Sequence, residues 1–120
     1  MTKRPQAAVI YHNPRCSKSR ATLALLQEHG IEPTIIEYLN APPSVTELKS
    51  ILGKLKLRPE ELLRKGEEVY KTKIAGRQLT DAQLIAAMVD NPILIERPIV
   101  VIDDRAALGR PPENVLSLLK

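Results

Sequence analysis

One cysteine carries the chemistry that this chain advertises. Cys16 stands in Tyr11-His12-Asn13-Pro14-Arg15-Cys16-Ser17-Lys18-Ser19-Arg20 and is the only sulfhydryl in 120 residues. An apolar run, Ala7 to Tyr11, precedes it, and an amphipathic run, Ala21 to Leu26, follows it. This layout predicts a strand, a tight turn and a helix, with the thiol at the helix N-terminus. The first N–H groups of a helix have no partner within it, and together with the helix dipole they stabilise an anion. Arg15, Lys18, Arg20 and His12 add positive charge nearby. Cys16 is therefore expected to have a lowered pKa, to be a thiolate near neutral pH, and to attack an oxyanion or a disulfide. A free cysteine is more often a small buried hydrophobe, but such a residue does not usually sit among three cationic side chains.

A lone thiol excludes an internal disulfide and an intramolecular redox relay. If Cys16 is oxidised, the resolving thiol must come from another molecule. Sparse cysteine favours a reducing compartment, and there is neither an apolar run of membrane-spanning length nor a signal-peptide core, so the chain reads as cytoplasmic. The net charge of +4, from 18 basic and 14 acidic residues, is a mild excess. With three tyrosines and no basic block there is no stacking platform for nucleic acid; a small anionic substrate is a better use for a local excess of arginine. Two histidines, His12 and His29, and one cysteine offer no metal-ligand spacing, so no metal is expected. No apolar seam is visible, which favours a monomer.

The elements that must position Cys16 follow from pattern. The length fits a single domain, residues 1–120, with the polar stretch Met1 to Gln6 frayed. Val9 to Tyr11 is a strand, Ser17 to His29 a helix closed by Gly30, and Thr34 to Tyr38 a second strand, which makes a parallel βαβ unit. Ser44 with Glu47 and Thr80 with Gln83 match the capping box, and each precedes apolar residues at helical spacing. Pro59 opens a short helix through Leu63. The middle third thus reads as a helical insertion, with Glu67 to Gln78 left unassigned. Ile99 to Ile102 is a central strand, Asp103-Asp104-Arg105 turns it into a partner ending near Gly109, and Pro111 begins a last helix. The fold class is α/β, with the β-α-β … β-β-α order of a thioredoxin-like fold around a helical insertion.

The chain resembles the glutathione- and glutaredoxin-coupled, ArsC-type arsenate reductases. The matching segments are Tyr11-His12-Asn13-Pro14 with Cys16 and Ser19-Arg20; Glu32-Pro33-Thr34-Ile35-Ile36; Tyr38-Leu39; Pro42-Pro43; Leu62-Leu63-Arg64-Lys65; Asn91-Pro92-Ile93-Leu94-Ile95; Arg97-Pro98-Ile99-Val100-Val101; and Arg110-Pro111. The resemblance implies a nucleophile at Cys16 and an arsenate-binding trio, Arg64, Arg97 and Arg110. It implies a histidine near the thiol at His12, a loop serine that helps hold the thiolate at Ser19, and a cis Arg97-Pro98 bond. It implies no bound cofactor, with glutathione as external reductant and glutaredoxin as partner. Guanidinium forks suit a tetrahedral dianion, which agrees with the trio. The family turn often reads Cys-Gly-Thr-Ser-Arg, and here Lys18 adds a charge. A phosphatase-type reductase would need Cys-x5-Arg, but position 22 is Thr22; a dithiol redox protein would need a cysteine where Ser19 stands. Two other readings stay open: a glutathione-dependent reductase of another substrate, and a non-enzymatic, protein-binding regulator of the same fold.

Overall fold

The apolar run before the cysteine forms β1 (Ala8–His12), in which every second residue is buried. In this computed structural model residues 8–119 are described, so the stretch expected to fray, Met1 to Gln6, lies outside them. The described residues gather into two compact units: residues up to Glu37 together with those from Arg97 onward, and Tyr38–Glu96.

The first unit holds a four-stranded mixed sheet of order β2-β1-β3-β4. β1 runs parallel to β2 (Thr34–Glu37), with His12 opposite Glu37. It runs antiparallel to β3 (Ile99–Ile102), with Ile10 opposite Val100. β3 then pairs with β4 (Arg105–Leu108) through a turn in which Asp103 has φ +56°. This is the thioredoxin-like order expected from the sequence. α1 (Ser17–Glu28) connects β1 to β2, and the chain leaves it through Gly30 at φ +79°, the left-handed conformation that glycine adopts without a Cβ penalty. Leu26 of α1 packs with Ile10, Val100 and Ile102 of the sheet and with Val115 and Leu118. All but Leu118, which is nearly so, are fully buried, and burying one such aliphatic side chain contributes about 1.5–3 kcal/mol.

The last helix differs from expectation. It is a 3₁₀ helix, Pro112–Leu119, and starts one residue after Pro111. Pro111 and Pro112 together withhold two N–H donors, and the turn is held instead by Asn114 N–H donating to Pro111 O at 3.0 Å.

The second unit is helical: α2 (Val45–Leu55), α3 (Pro59–Leu62), α4 (Glu68–Lys73), α5 (Asp81–Asp90) and a 3₁₀ turn, Pro92–Leu94. Both capping boxes form. Ser44 Oγ accepts from Glu47 N–H while Glu47 accepts from Ser44 N–H, and Thr80 and Gln83 repeat the pattern. Leu48, Ile51, Leu52, Leu62, Ile85, Met88 and Leu94 are buried in this unit. α4 occupies the stretch to which the sequence reading gave nothing. It is six residues long, buries no residue and has no side-chain cap, so neither periodicity nor capping marks it. Among the described residues no helix is long and apolar enough to cross a membrane.

The ends of this unit meet. Tyr38, 1% exposed, donates its hydroxyl to Ile95 O at 3.4 Å. An antiparallel bridge joins Leu63 to Ile95, with Arg64 N–H donating to Leu94 O at 2.8 Å and Glu96 N–H to Leu62 O at 2.9 Å. Tyr38→Phe keeps the ring and removes one buried donor. It is expected to lower stability by about 1 kcal/mol, read as a shift of the denaturation midpoint; an unmoved midpoint would show that the bond contributes nothing.

Candidate active site

The turn between β1 and α1 is built around Asn13, which is buried. Its Oδ1 accepts from Arg15 N–H at 3.0 Å, its carbonyl accepts from Cys16 N–H at 3.0 Å, and its own N–H donates to Ser19 Oγ at 3.0 Å. These bonds bring the chain round sharply, so that Cys16 is the residue immediately before α1 and its carbonyl accepts the first helical bond, from Arg20 N–H.

Burial pushes the Cys16 thiol up, but the opposing influences outweigh it and the pKa lies below that of an ordinary cysteine. Those influences are the Ser19 amide, the Arg97 side chain through hydrogen bonding and charge, and the Lys18 amide. The two amides belong to the first helical turn, where N–H groups have no intrahelical acceptor. The cationic group acting on the sulfur is thus Arg97, far away in sequence. Arg15, Lys18 and Arg20, the residues that first suggested a positive surround, are all exposed, and Arg20 donates to Pro14 O at 2.9 Å. Alkylation of Cys16 should stay fast as the pH falls below about 8.5, the midpoint of a free thiol, because the thiolate persists down to the lowered pKa. The rate of iodoacetamide modification against pH measures this, and a midpoint like that of free cysteine would remove the activated thiolate.

Ser19 is fully buried, and its side chain serves the turn. Oγ accepts from Asn13 N–H and lies 2.7 Å from His12 Nδ1. Ser19 Oγ thus links the Asn13 amide to the His12 ring. Burial lowers the His12 pKa, Glu37 raises it and Arg20 lowers it further; the net effect is downward and keeps the ring neutral. His12 and Ser19 therefore form a neutral pair beneath the loop. The expected hold of Ser19 on the thiolate comes from its backbone N–H.

Arg97 precedes Pro98 across a cis peptide bond, as the resemblance implied; Arg110-Pro111 is cis as well. Arg110 Nη1 donates to Arg97 O at 3.2 Å, so these two arginines are tied together. Gly109 sets the approach of this segment. Its N–H donates to Pro98 O at 2.9 Å, and a Cβ there would fall on Thr22 Oγ1 and 2.8 Å from Pro98 Cγ. Arg64 belongs to the other unit, where its guanidinium pairs with Glu67 at 3.2 Å and Glu96 at 3.6 Å. The structure thus gathers Cys16, His12, Ser19, Arg97 and Arg110 within one unit. Asn13, Gly109, Glu67 and Glu96 were missed in the sequence. Asn13-Pro14 carries a turn signal and Glu67 lies three residues after Arg64, but nothing near Glu96 marks it.

A family model described as "ArsC family" matches residues 11–118. The chain belongs to the ArsC family. Among curated relatives, this ArsC chain is 47% identical over 115 residues to a protein of Haemophilus influenzae named arsenate reductase, covering 94% of this chain and 99% of that protein. It is 50% identical over 112 residues to the Escherichia coli K12 protein named "Uncharacterized protein YfgD", covering 92% of this chain and 94% of that one. Among solved structures, one titled "Arsenate reductase from Vibrio cholerae" superposes with a TM-score of 0.91 at 52% identity, covering 95% of this chain and 98% of that one.

Proposed function

We propose that this ArsC protein reduces arsenate to arsenite with electrons from glutathione, assisted by glutaredoxin. The observation that carries the proposal is the Cys16 thiol, held below its ordinary pKa by helix amides and the Arg97 guanidinium. Arsenate is a tetrahedral, mostly dianionic oxyanion near neutral pH. Arg97 and Arg110 supply guanidinium donors, and the family resemblance gives Arg64 the third place. The Cys16 thiolate attacks arsenic, a sulfur–arsenic bond forms, and an arsenate oxygen leaves as water after protonation. Arginine donors stabilise the charge that collects on the remaining oxygens. A glutathione thiol then attacks arsenic in the adduct, a second sulfur–arsenic bond forms, and another oxygen leaves as water. A second glutathione, delivered with glutaredoxin, attacks the sulfur of the first: a sulfur–sulfur bond forms, that sulfur–arsenic bond breaks, its electron pair stays on arsenic, and water then displaces Cys16 from the reduced arsenic. Arsenite leaves, Cys16 returns as a thiolate, and the two glutathiones end as one disulfide. The external thiols are obligatory because the chain has no second cysteine. His12 and Ser19 shape the loop from below, and the neutral imidazole adds no competing charge.

Arsenite release from arsenate, measured with glutathione and glutaredoxin present and with each withheld, tests the proposal. Turnover that needs both supports it. No turnover from folded protein would reject arsenate reduction and leave another thiol-dependent substrate, or a binding role, for Cys16.

A further inference from the structure

Arg64 is held in an unusual way for a residue that is to bind an anion. Its Nη2 lies 3.2 Å from Glu67 Oε2 and its Nη1 lies 3.6 Å from Glu96 Oε1. The three side chains are 22%, 23% and 26% exposed, so their charges are not simply screened away by water. The backbone fixes the arrangement. Arg64 N–H donates to Leu94 O and Glu96 N–H to Leu62 O across the Leu63–Ile95 bridge, which seats Arg64 and Glu96 on facing segments. Glu67 follows Arg64 by three residues, with Glu67 N–H directed to Arg64 O. Yet the guanidinium is not satisfied: Nε and Nη1 are buried and make no hydrogen bond. A cation flanked by two carboxylates therefore keeps unused donors aimed away from water, a costly state unless an acceptor arrives.

We infer that Glu67 and Glu96 are positioning residues that hold the Arg64 guanidinium in place and temper its attraction for the oxyanion. This rests on the reading of Arg64 as an oxyanion ligand. Two carboxylates beside one guanidinium leave a local charge of minus one, so an incoming dianion meets repulsion along with the free donors. The pair keeps Arg64 from binding oxyanions tightly in the ground state and fixes the fork for the reacting geometry. Tight binding of substrate and transition state alike would not speed the chemistry, whereas an oriented fork does.

The test measures arsenate binding calorimetrically in the Cys16→Ser protein, which cannot turn over, carrying Glu67→Gln, Glu96→Gln or Glu68→Gln. Glu68 is an exposed neighbour and controls for the loss of one negative charge. Glu67→Gln and Glu96→Gln should each tighten the arsenate Kd roughly two- to five-fold relative to Glu68→Gln. With Cys16 restored, the same variants should lower both KM and kcat. A merely structural role would weaken binding, so the direction decides. Weaker or unchanged affinity in both variants overturns the inference. Arg64→Gln separates it from the reading beneath. If that variant weakens arsenate binding while the glutamate variants fail to tighten it, only the inference falls. If it leaves binding unchanged, Arg64 is no ligand and both fall.

Discussion

Cys16→Ser is expected to abolish arsenite release, reducing turnover by roughly a thousandfold or more. Serine at this position is close in size and keeps the backbone that starts α1, so the fold should persist. It lacks what the site is built to stabilise. The Ser19 and Lys18 amides and the Arg97 guanidinium together offset the cost of burial for a thiolate. They cannot ionise a hydroxyl, whose pKa lies far above that of any thiol. No other cysteine exists in the chain to take over. The variant should still bind arsenate, because the guanidinium groups remain. The decisive pair of measurements is turnover with glutathione and glutaredoxin, and arsenate binding by calorimetry. Residual turnover within tenfold of the parent would show that Cys16 is not the nucleophile.

Arg97→Ala should cost about 3 kcal/mol of transition-state stabilisation, a loss of roughly a hundredfold in kcat/KM. Two contributions make up this loss, and they can be separated. One is the effect on the thiol: without Arg97 its pKa rises, the thiolate fraction at neutral pH falls, and that part of the activity returns as the pH is raised. The other is the loss of donors to the oxyanion, which no change of pH restores. The expected profile is therefore a partial recovery at alkaline pH that stops well short of the parent. Arg97→Lys keeps a charge near the sulfur and loses the fork, so it should recover the first contribution better than the second. Equal kcat/KM for Arg97→Ala and the parent would reject the role of Arg97.

Much of this was legible before any coordinates. The apolar run before Cys16, the continuous apolar Ile99–Ile102 and the two capping boxes are local signals, and each produced the element it foretold. α4 was illegible because a short helix that buries nothing has no apolar stripe to read. The final 3₁₀ helix was misjudged because a proline at a helix start does not announce which hydrogen-bond spacing follows. At the site, Cys16 declared itself by its neighbours, although Arg15, Lys18 and Arg20 proved to be exposed, His12 is buried with a lowered pKa, and a remote arginine acts on the sulfur instead. Local sequence reveals an anion-stabilising turn. It cannot reveal that Arg110 braces the Arg97 carbonyl, since that contact exists only once β3 and β4 have paired.

The Tyr38–Ile95 bond has a bearing on the order of assembly. The sheet's central pairing joins Ile10 to Val100, residues separated by most of the chain, and closing so long a loop is entropically slow. The helical unit lies between them, with its first residues hydrogen-bonded to its last. If it forms early, the wandering length between β2 and β3 shrinks to a short clasped neck, and β3 searches for β1 from close by. A tyrosine hydroxyl remote in sequence from the thiol would then act as a kinetic device, and Tyr38→Phe should slow refolding more than it speeds unfolding.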